Sequence, residues 1–387
     1  MNENQQRIFD DTSAYHPRPP AHFDVQRIVL AKGWNTDHFR RNLAETICRL
    51  YPNAQRCEMP RTVHTRVPVL GEDEPDADAL RLHEAGKRTL VFGEHLSSVR
   101  FSDESGNTCP NYWHYSLYGF CPYGCAYCYL TGTPGVRFSP TVKIYLNVHE
   151  TLERIRHTAA KFTEPTAFYH GKLQDALALD PLTGYSRLSV PFFAGQKYTR
   201  QVMLTKSADI GNLLPLEHAG HTILSWTVNL PEISRDFEPN TPTVSQRIAA
   251  MKLAAAAGYP VRAVLMPIIP VDGWTDRYAE FLETLVREVP LERLTIGAIC
   301  SYPAAVSLMN RKLGCRNAVS THLSPADSRH DDGRRRYPPE LRARAYRHFF
   351  TVARRARPEL EIGLCLETRP LLEELVELNP GKCNCVF

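Results

Sequence analysis

From about residue 141 to 302 the chain alternates between short apolar runs and segments whose apolar positions recur every three or four residues. The runs are TVKIYLN, TAFYH, RQVMLTKS, HTILSWTVN, PVRAVLMPIIP and LERLTIGAICS. Between them lie HETLERIRHTAAKF, a Leu/Pro stretch, GNLLPL, VSQRIAAMKLAAAAG and DRYAEFLETLVREV. Near-continuous apolar runs suit strands buried on both faces, and helical spacing suits the crossovers between them. The pattern therefore predicts an α/β fold of β/α units on a parallel sheet. Six such runs fit a partial, open (β/α)6 TIM-like barrel better than a closed one. Barrel sites gather at the carboxyl ends of strands, which points to Lys206 after VMLT, Asn229 after SWTV and Pro267 after AVLM.

Outside this region RIVLAKG (27 to 33) reads as a strand, TDHFRRNLAETICRLY (36 to 51) as an amphipathic helix and KRTLVFGEH as a further strand. The acidic loop GEDEPDAD occupies 71 to 78. These segments predict an α/β N-terminal extension over residues 1–105, followed by the barrel and a cysteine loop over 106–310. Residues 311–387 form a C-terminal segment with an Arg-rich loop, a helix (PPELRARAYRHFFTVARRA) and a last strand (LEIGLCLE).

Composition narrows the setting. With 43% hydrophobic and 23% charged residues, the 387-residue chain has the balance of a soluble globular protein. No apolar run is long enough to span a membrane, and the start, MNENQQRIFDDTSAYHPRPP, has no apolar core of a signal peptide, so a cytoplasmic protein without a membrane partner is expected. A formal charge of +4 does not demand a polyanionic partner. Eleven cysteines in a reducing compartment point to metal or redox use rather than disulfides, although the isolated Cys48, Cys57, Cys300 and Cys315 read as buried thiols.

Cys121, Cys125 and Cys128 form a C-x3-C-x2-C loop. Thiolates are soft donors suited to iron–sulfur centres, and three of them on a [4Fe-4S] cluster leave one iron open. In radical chemistry that iron chelates the methionine end of S-adenosylmethionine, and reduction of the sulfonium yields a 5'-deoxyadenosyl radical that abstracts hydrogen from a substrate. The electron must come from a partner such as flavodoxin or ferredoxin. Zinc is the rival occupant, but it usually takes two C-x2-C pairs or added histidines.

CPYGCAYCYL followed by TVKIYLN resembles the cluster region of spore photoproduct lyase and its relatives in the radical SAM superfamily. LQDALALDPLTG, MLTKS, TVN, FEPNTPTVSQRIAAM, AGYPVRAVLMPIIPVDGW and RYPPELRARAYRHFF continue the likeness over roughly 88 to 350. The resemblance implies a radical SAM barrel with Cys121, Cys125 and Cys128 on the cluster. It places Lys206 near the methionine carboxylate, Thr227 and Asn229 in a pair that holds the cofactor, and Asp175 and Asp180 among the family's acids. Tyr127 and Tyr129 match tyrosines that relay hydrogen, with packing around the cluster the alternative role. The family's hydrogen-donating cysteine is matched by Lys172, so membership transfers more readily than the named reaction. His170, Gly171 and Lys172 also stand where many superfamily members carry a Gly-Gly-Glu-like element that receives the methionine amino group.

Two features remain. Arginines crowd HDDGRRRYPPELRARAYRHFFTVARRARP, either as the wet side of a helix or to bind an anion, for which Arg335, Arg336 and Tyr337 are the best placed. The terminal Cys383 and Cys385 can donate hydrogen, ligate a metal with Cys365, or be inert. The function expected is hydrogen abstraction from an organic substrate: a nucleotide, nucleoside or sugar. The alternatives are a DNA photoproduct lyase whose donor is Tyr129 or a C-terminal thiol, and a non-enzymatic metal-binding nucleic-acid module.

Overall fold

Strands buried at every position need cover on both faces, and the chain provides it by building two sheets. The computed structural model describes residues 15–67, 78–102, 109–324 and 332–387. The first fourteen residues and the acidic loop, apart from Asp78, lie outside the described residues. The N-terminal part contributes β1 (Arg27–Ala31), β2 (Gln55–Met59), β3 (Thr89–Gly93), β4 (Val99–Ser102), β5 (Tyr112–Tyr115), β6 (Tyr118–Gly119) and β7 (Val142–Tyr145). Then come β8 (Thr166–His170), β9 (Thr199–Thr205), β10 (Thr222–Val228), β11 (Val261–Leu265) and β12 (Leu291–Ile296). A short antiparallel pair, β13 (Cys300–Ser301) and β14 (Arg335–Arg336), precedes β15 (Glu361–Leu364).

The first sheet has the order β2-β1-β3-β7-β6, parallel except for β6. The second is the open barrel, β15-β12-β11-β10-β9-β8-β5-β4, parallel from β5 to β15 with β4 antiparallel at its edge. The partial barrel read from the sequence is therefore present, with a different membership. TVKIYLN forms β7 of the first sheet, paired Leu90 to Val142, and YWHY of β5 takes the place assigned to it. The last strand joins the barrel beside β12. A buried apolar run records burial but not which sheet supplies its partner, so pattern alone misassigns β7.

The predicted helices form where local signals support them. Asp37 caps the helix His38–Leu50 by accepting from the Arg40 amide. The helix Val244–Ala256 starts at a reciprocal capping box between Thr243 and Gln246. GNLLPL makes turns rather than a helix. The helix Pro339–Ala356 packs on Trp274–Glu288 through Phe349, whose ring centroid lies 5.7 Å from that of Trp274 and 5.2 Å from that of Tyr278. None of the eleven cysteines is in a disulfide. Cys48 is buried as expected, but Cys57 is half-buried and Cys315 is exposed. The Thr243→Ala variant, which loses the cap, is expected to be about 1 kcal/mol less stable, read as a lower denaturant midpoint with an unchanged slope.

Candidate active site

The cysteine loop leaves β6 and docks its backbone on the segment after the helix Pro231–Phe237. Gly124 N–H donates to Pro239 O at 2.9 Å and Ala126 N–H to Phe237 O at 2.8 Å. A Cβ on Gly124 would stand 3.0 Å from the Pro239 ring, which accounts for glycine at this close approach. Between those two contacts sits Glu238, whose carboxylate has no exposure. The Tyr127 hydroxyl donates to its Oε1, the Arg247 guanidinium and the Ser234 hydroxyl hold its Oε2 at 2.6 and 3.1 Å, and Lys206 Nζ stands 4.0 Å away. Burial pushes the Glu238 pKa up, but Lys206, Arg247 and the bonds from Tyr127 and Arg247 outweigh it and hold the group below its usual value. On the other side of the loop, Lys87 Nζ donates to the carbonyls of Cys121 and Tyr123 at 2.5 and 2.7 Å.

This anchoring turns Cys121, Cys125 and Cys128 toward a cavity of about 660 Å³. Tyr129, Gly171, Lys172, Asp175, Lys206 and Thr227 share its wall. Asp175 organises this end: its Oδ1 accepts from Thr205 and from the Leu177 and Ala178 amides, and its Oδ2 accepts from the Lys206 amide at 2.7 Å. Burial alone would lower the Lys206 pKa, but Cys125 and Glu238 together leave it raised, so the residue is a buried cation. Burial raises the Cys121 thiol and pushes that of Cys125 up to about 12. Ligation of iron there therefore releases protons.

The cavity fits a polar occupant. Gln174 Oε1, Thr295 Oγ1 and Asn384 Nδ2 belong to residues that line it, and all three are buried without a hydrogen-bond partner. Three soft thiols, a buried ammonium and unsatisfied polar atoms suit an iron–sulfur cluster with an amino-acid-bearing cofactor. Among the described residues, no three His, Cys, Asp or Glu side chains gather around a point that a single metal ion would occupy.

The remaining candidates separate into those in the cavity and those behind it. The Tyr129 hydroxyl donates to Lys172 O at 2.7 Å, whereas the Tyr127 hydroxyl is committed to Glu238. Asn229 lies behind the wall, donating to Pro267 O at 2.8 Å and accepting from Tyr278 and the Leu230 amide. Asp180 is buried against Ser186 and Asn212 and fixes a loop. Arg335 donates to Ser324 O, Arg336 pairs with Asp332 at 2.6 Å, and Tyr337 is buried in the core, so none of this predicted anion-binding trio lines the cavity. Their neighbour Arg334, just before β14, lines it instead, with Nη1 3.7 Å from Cys300 Sγ and the guanidinium over the Tyr302 ring. The helix arginines are engaged too: Arg342 with Glu367, Arg347 with Glu374 and Glu377, and Arg355 with Glu283. Sequence reasoning missed Glu238, Arg247, Lys87, Arg334 and Cys109, although FEPNTP was visible as a segment and a lone acid in it was the available signal.

A family model described as spore photoproduct lyase matches residues 38–298. The spore photoproduct lyase of Geobacillus sp. (strain Y412MC61) is 29% identical over 204 residues, 52% of this chain and 56% of that protein. That of Bacillus subtilis (strain 168) is 28% identical over 217 residues, 56% of this chain and 62% of that one. The chain thus spans little more than half the length of these curated relatives. Among solved structures, spore photoproduct lyase complexed with dinucleoside spore photoproduct superposes with a TM-score of 0.74 at 20% identity, covering 89% of this chain and all of that one. A mutant with bound AdoMet and the same dinucleoside gives a TM-score of 0.74 at 21% identity, covering 88% and 98%. At such identity the likeness shows the fold.

Two outcomes follow from the Glu238 network. Arg247→Ala strands a buried carboxylate and is expected to lower stability by about 3–5 kcal/mol, measured by denaturant unfolding. Because the folded pKa of Glu238 lies below its unfolded value, about 4.3, its contribution is complete above that value and is lost as pH falls through the folded pKa. The stability gap between the native protein and Glu238→Gln should accordingly close on acidification. A gap that stays constant with pH would contradict the assignment.

Proposed function

The chain belongs to the spore photoproduct lyase family, and on that premise we propose that it is a radical S-adenosylmethionine enzyme acting on a nucleotide-type substrate, with a dinucleoside photoproduct in DNA as the favoured form. The observation that carries this reading is the convergence of Cys121, Cys125, Cys128 and Lys206 with the unsatisfied Gln174 and Thr295 on one cavity. The three thiols would hold a [4Fe-4S] cluster, and the Lys206 ammonium would receive the methionine carboxylate. When bound, the cluster and S-adenosylmethionine supply one-electron chemistry that makes a carbon radical on the substrate.

The chain's own residues bind and shield. Asp175 fixes the backbone of Lys206 from the side opposite Glu238, so the ammonium is held rather than free to swing. Thr227 lines the cavity while its carbonyl accepts from Arg247, which ties that wall to the buried ion pair. By the resemblance, Gly171 and Lys172 match the stretch that receives the methionine amino group in related enzymes, and a main-chain carbonyl there would take the place of the missing glutamate. Tyr123, Tyr129 and Tyr302 offer aromatic faces to a base, and Lys172 and Arg334 offer positive charge to a phosphate. A low-potential electron donor such as flavodoxin or ferredoxin is the expected partner, in the reducing cytoplasm. A non-enzymatic metal module would have no use for a cavity of this depth.

Anaerobic reconstitution should give about four irons per chain, abolished by Cys125→Ala, and reduction with S-adenosylmethionine should release 5'-deoxyadenosine. Zinc in the loop and no 5'-deoxyadenosine would overturn the radical reading. Given dinucleoside spore photoproduct, the reduced enzyme is expected to return the unlinked dinucleoside. Release of 5'-deoxyadenosine with the photoproduct left intact would refute the photoproduct and leave a different nucleotide-type substrate.

A further inference from the structure

Five cysteines outside the cluster loop line the same cavity, and four of them, all but Cys300, meet one another. Cys109 precedes β5, Cys365 follows β15, and Cys383 and Cys385 lie on the C-terminal tail; all four line the wall. Cys385 Sγ is 3.6 Å from Cys383 Sγ, and Cys383 is also hydrogen bonded to the thiols of Cys109 and Cys365. The side chains of Tyr112 and Tyr169 pack around this group.

The tail that brings two of these thiols in is clamped. Buried Arg262 on β11 donates to the carbonyls of Asn384 and Val386 at 3.0 and 2.8 Å, and buried Arg293 on β12 donates to those of Cys383 and Val386 at 3.0 and 2.9 Å. Glu292 and Glu361 pair with the two guanidiniums, Glu361 accepts from the Lys382 amide, and Ser225 on β10 donates to Asn384 Oδ1. Gly363 of β15 bridges to Gly381, and a Cβ at Gly363 would collide with Lys382 O at 2.2 Å. Two buried arginines and a glycine contact are a large commitment for an inert tail. The four thiols touch one another, sulfur to sulfur, at this end of the cavity, which is the contact that thiol chemistry uses.

We propose that Cys383, with Cys365, Cys385 and Cys109 against it, is the hydrogen-atom donor to a carbon radical formed in the cavity. This rests on the radical reading above. The S–H bond of Cys383 breaks as a C–H bond forms on the substrate, and the unpaired electron moves to sulfur. The neighbouring thiols pack against this sulfur, Cys385 Sγ at 3.6 Å, which keeps the radical off the protein backbone. One electron from the low-potential iron–sulfur or flavin donor that the enzyme already uses, together with one proton from solvent, restores the thiol. Each turnover thus takes one hydrogen atom from the chain and returns one electron and one proton.

The test uses the reconstituted full-length enzyme in D2O, where the thiols carry deuterium, with dinucleoside spore photoproduct as probe. Native enzyme should place deuterium in the unlinked dinucleoside, and in 5'-deoxyadenosine when the probe is omitted. Cys383→Ser should still form 5'-deoxyadenosine while its deuterium transfer falls at least about tenfold, whereas Cys315→Ser, at an exposed position, should behave as native. Undiminished deuterium transfer in Cys383→Ser would overturn the proposal. A second measurement needs no turnover: limited diamide oxidation of the resting holoenzyme, mapped by mass spectrometry, should link Cys383 to Cys385, Cys365 or Cys109. A zinc ion or extra iron shielding those thiols would overturn it as well. Loss of 5'-deoxyadenosine in the native enzyme would instead sink the radical reading, and the oxidation map would still report on the thiols.

Discussion

The buried pairing of Glu238 with Arg247 is the interaction on which the site depends. A carboxylate without any exposure is tolerated only when its charge and lone pairs are met, and the groups that meet it come from four parts of the chain. Tyr127 comes from the cysteine loop, Lys206 from the end of β9, Arg247 from a crossover helix and Ser234 from the short helix before it. Each would drift without the anion, and the anion would be untenable without them. The same segment accepts the loop's backbone amides through the carbonyls of Phe237 and Pro239. One polar knot therefore fixes both where the loop thiols point and where the neighbouring ammonium sits.

Much of the barrel was legible in the sequence because its strands are apolar runs and its crossover helices repeat their apolar positions every three or four residues. β10 is buried at all seven positions, and the capping box of Thr243 and Gln246 could be read directly. What the pattern could not carry was membership: Val142–Tyr145 is as apolar as a barrel strand and pairs elsewhere. Short strands such as Tyr112–Tyr115 escaped because alternation over four residues is not distinctive. In the site, the loop thiols and Lys206 were legible from spacing and strand-end position. Asn229 was chosen for its place at a strand end and Arg335 to Tyr337 for theirs before a helix, yet the orientation of each side chain decides whether it reaches a cavity. Arg334, just before β14, lines the cavity, whereas Arg335 and Arg336 do not. Cys109 was invisible as a partner of Cys383 because 274 residues separate them, and only the fold brings them together.

The cavity has two differently built ends. Around the loop, charge is concentrated and compensated within the protein, with Glu238 between Lys206 and Arg247 and Asp175 on the Lys206 amide. Around the tail, the polar work is done behind the wall by Arg262 and Arg293, and what faces inward is sulfur, aromatic ring and the amide of Asn384. This division suits chemistry that begins with charge separation and ends with a neutral atom transfer.

Lys87 belongs to a helix of the N-terminal part, packed beside β3 rather than within the barrel, yet its ammonium holds two carbonyls of the cysteine loop and lies 3.4 Å from the centre of the Phe120 ring. The extension consequently braces the cysteine loop and is not a passenger. A barrel transplanted onto another partner domain would keep its three thiols and lose the brace that aims them. Recombination in this lineage should therefore preserve the seam between the two sheets and find its variety in other places.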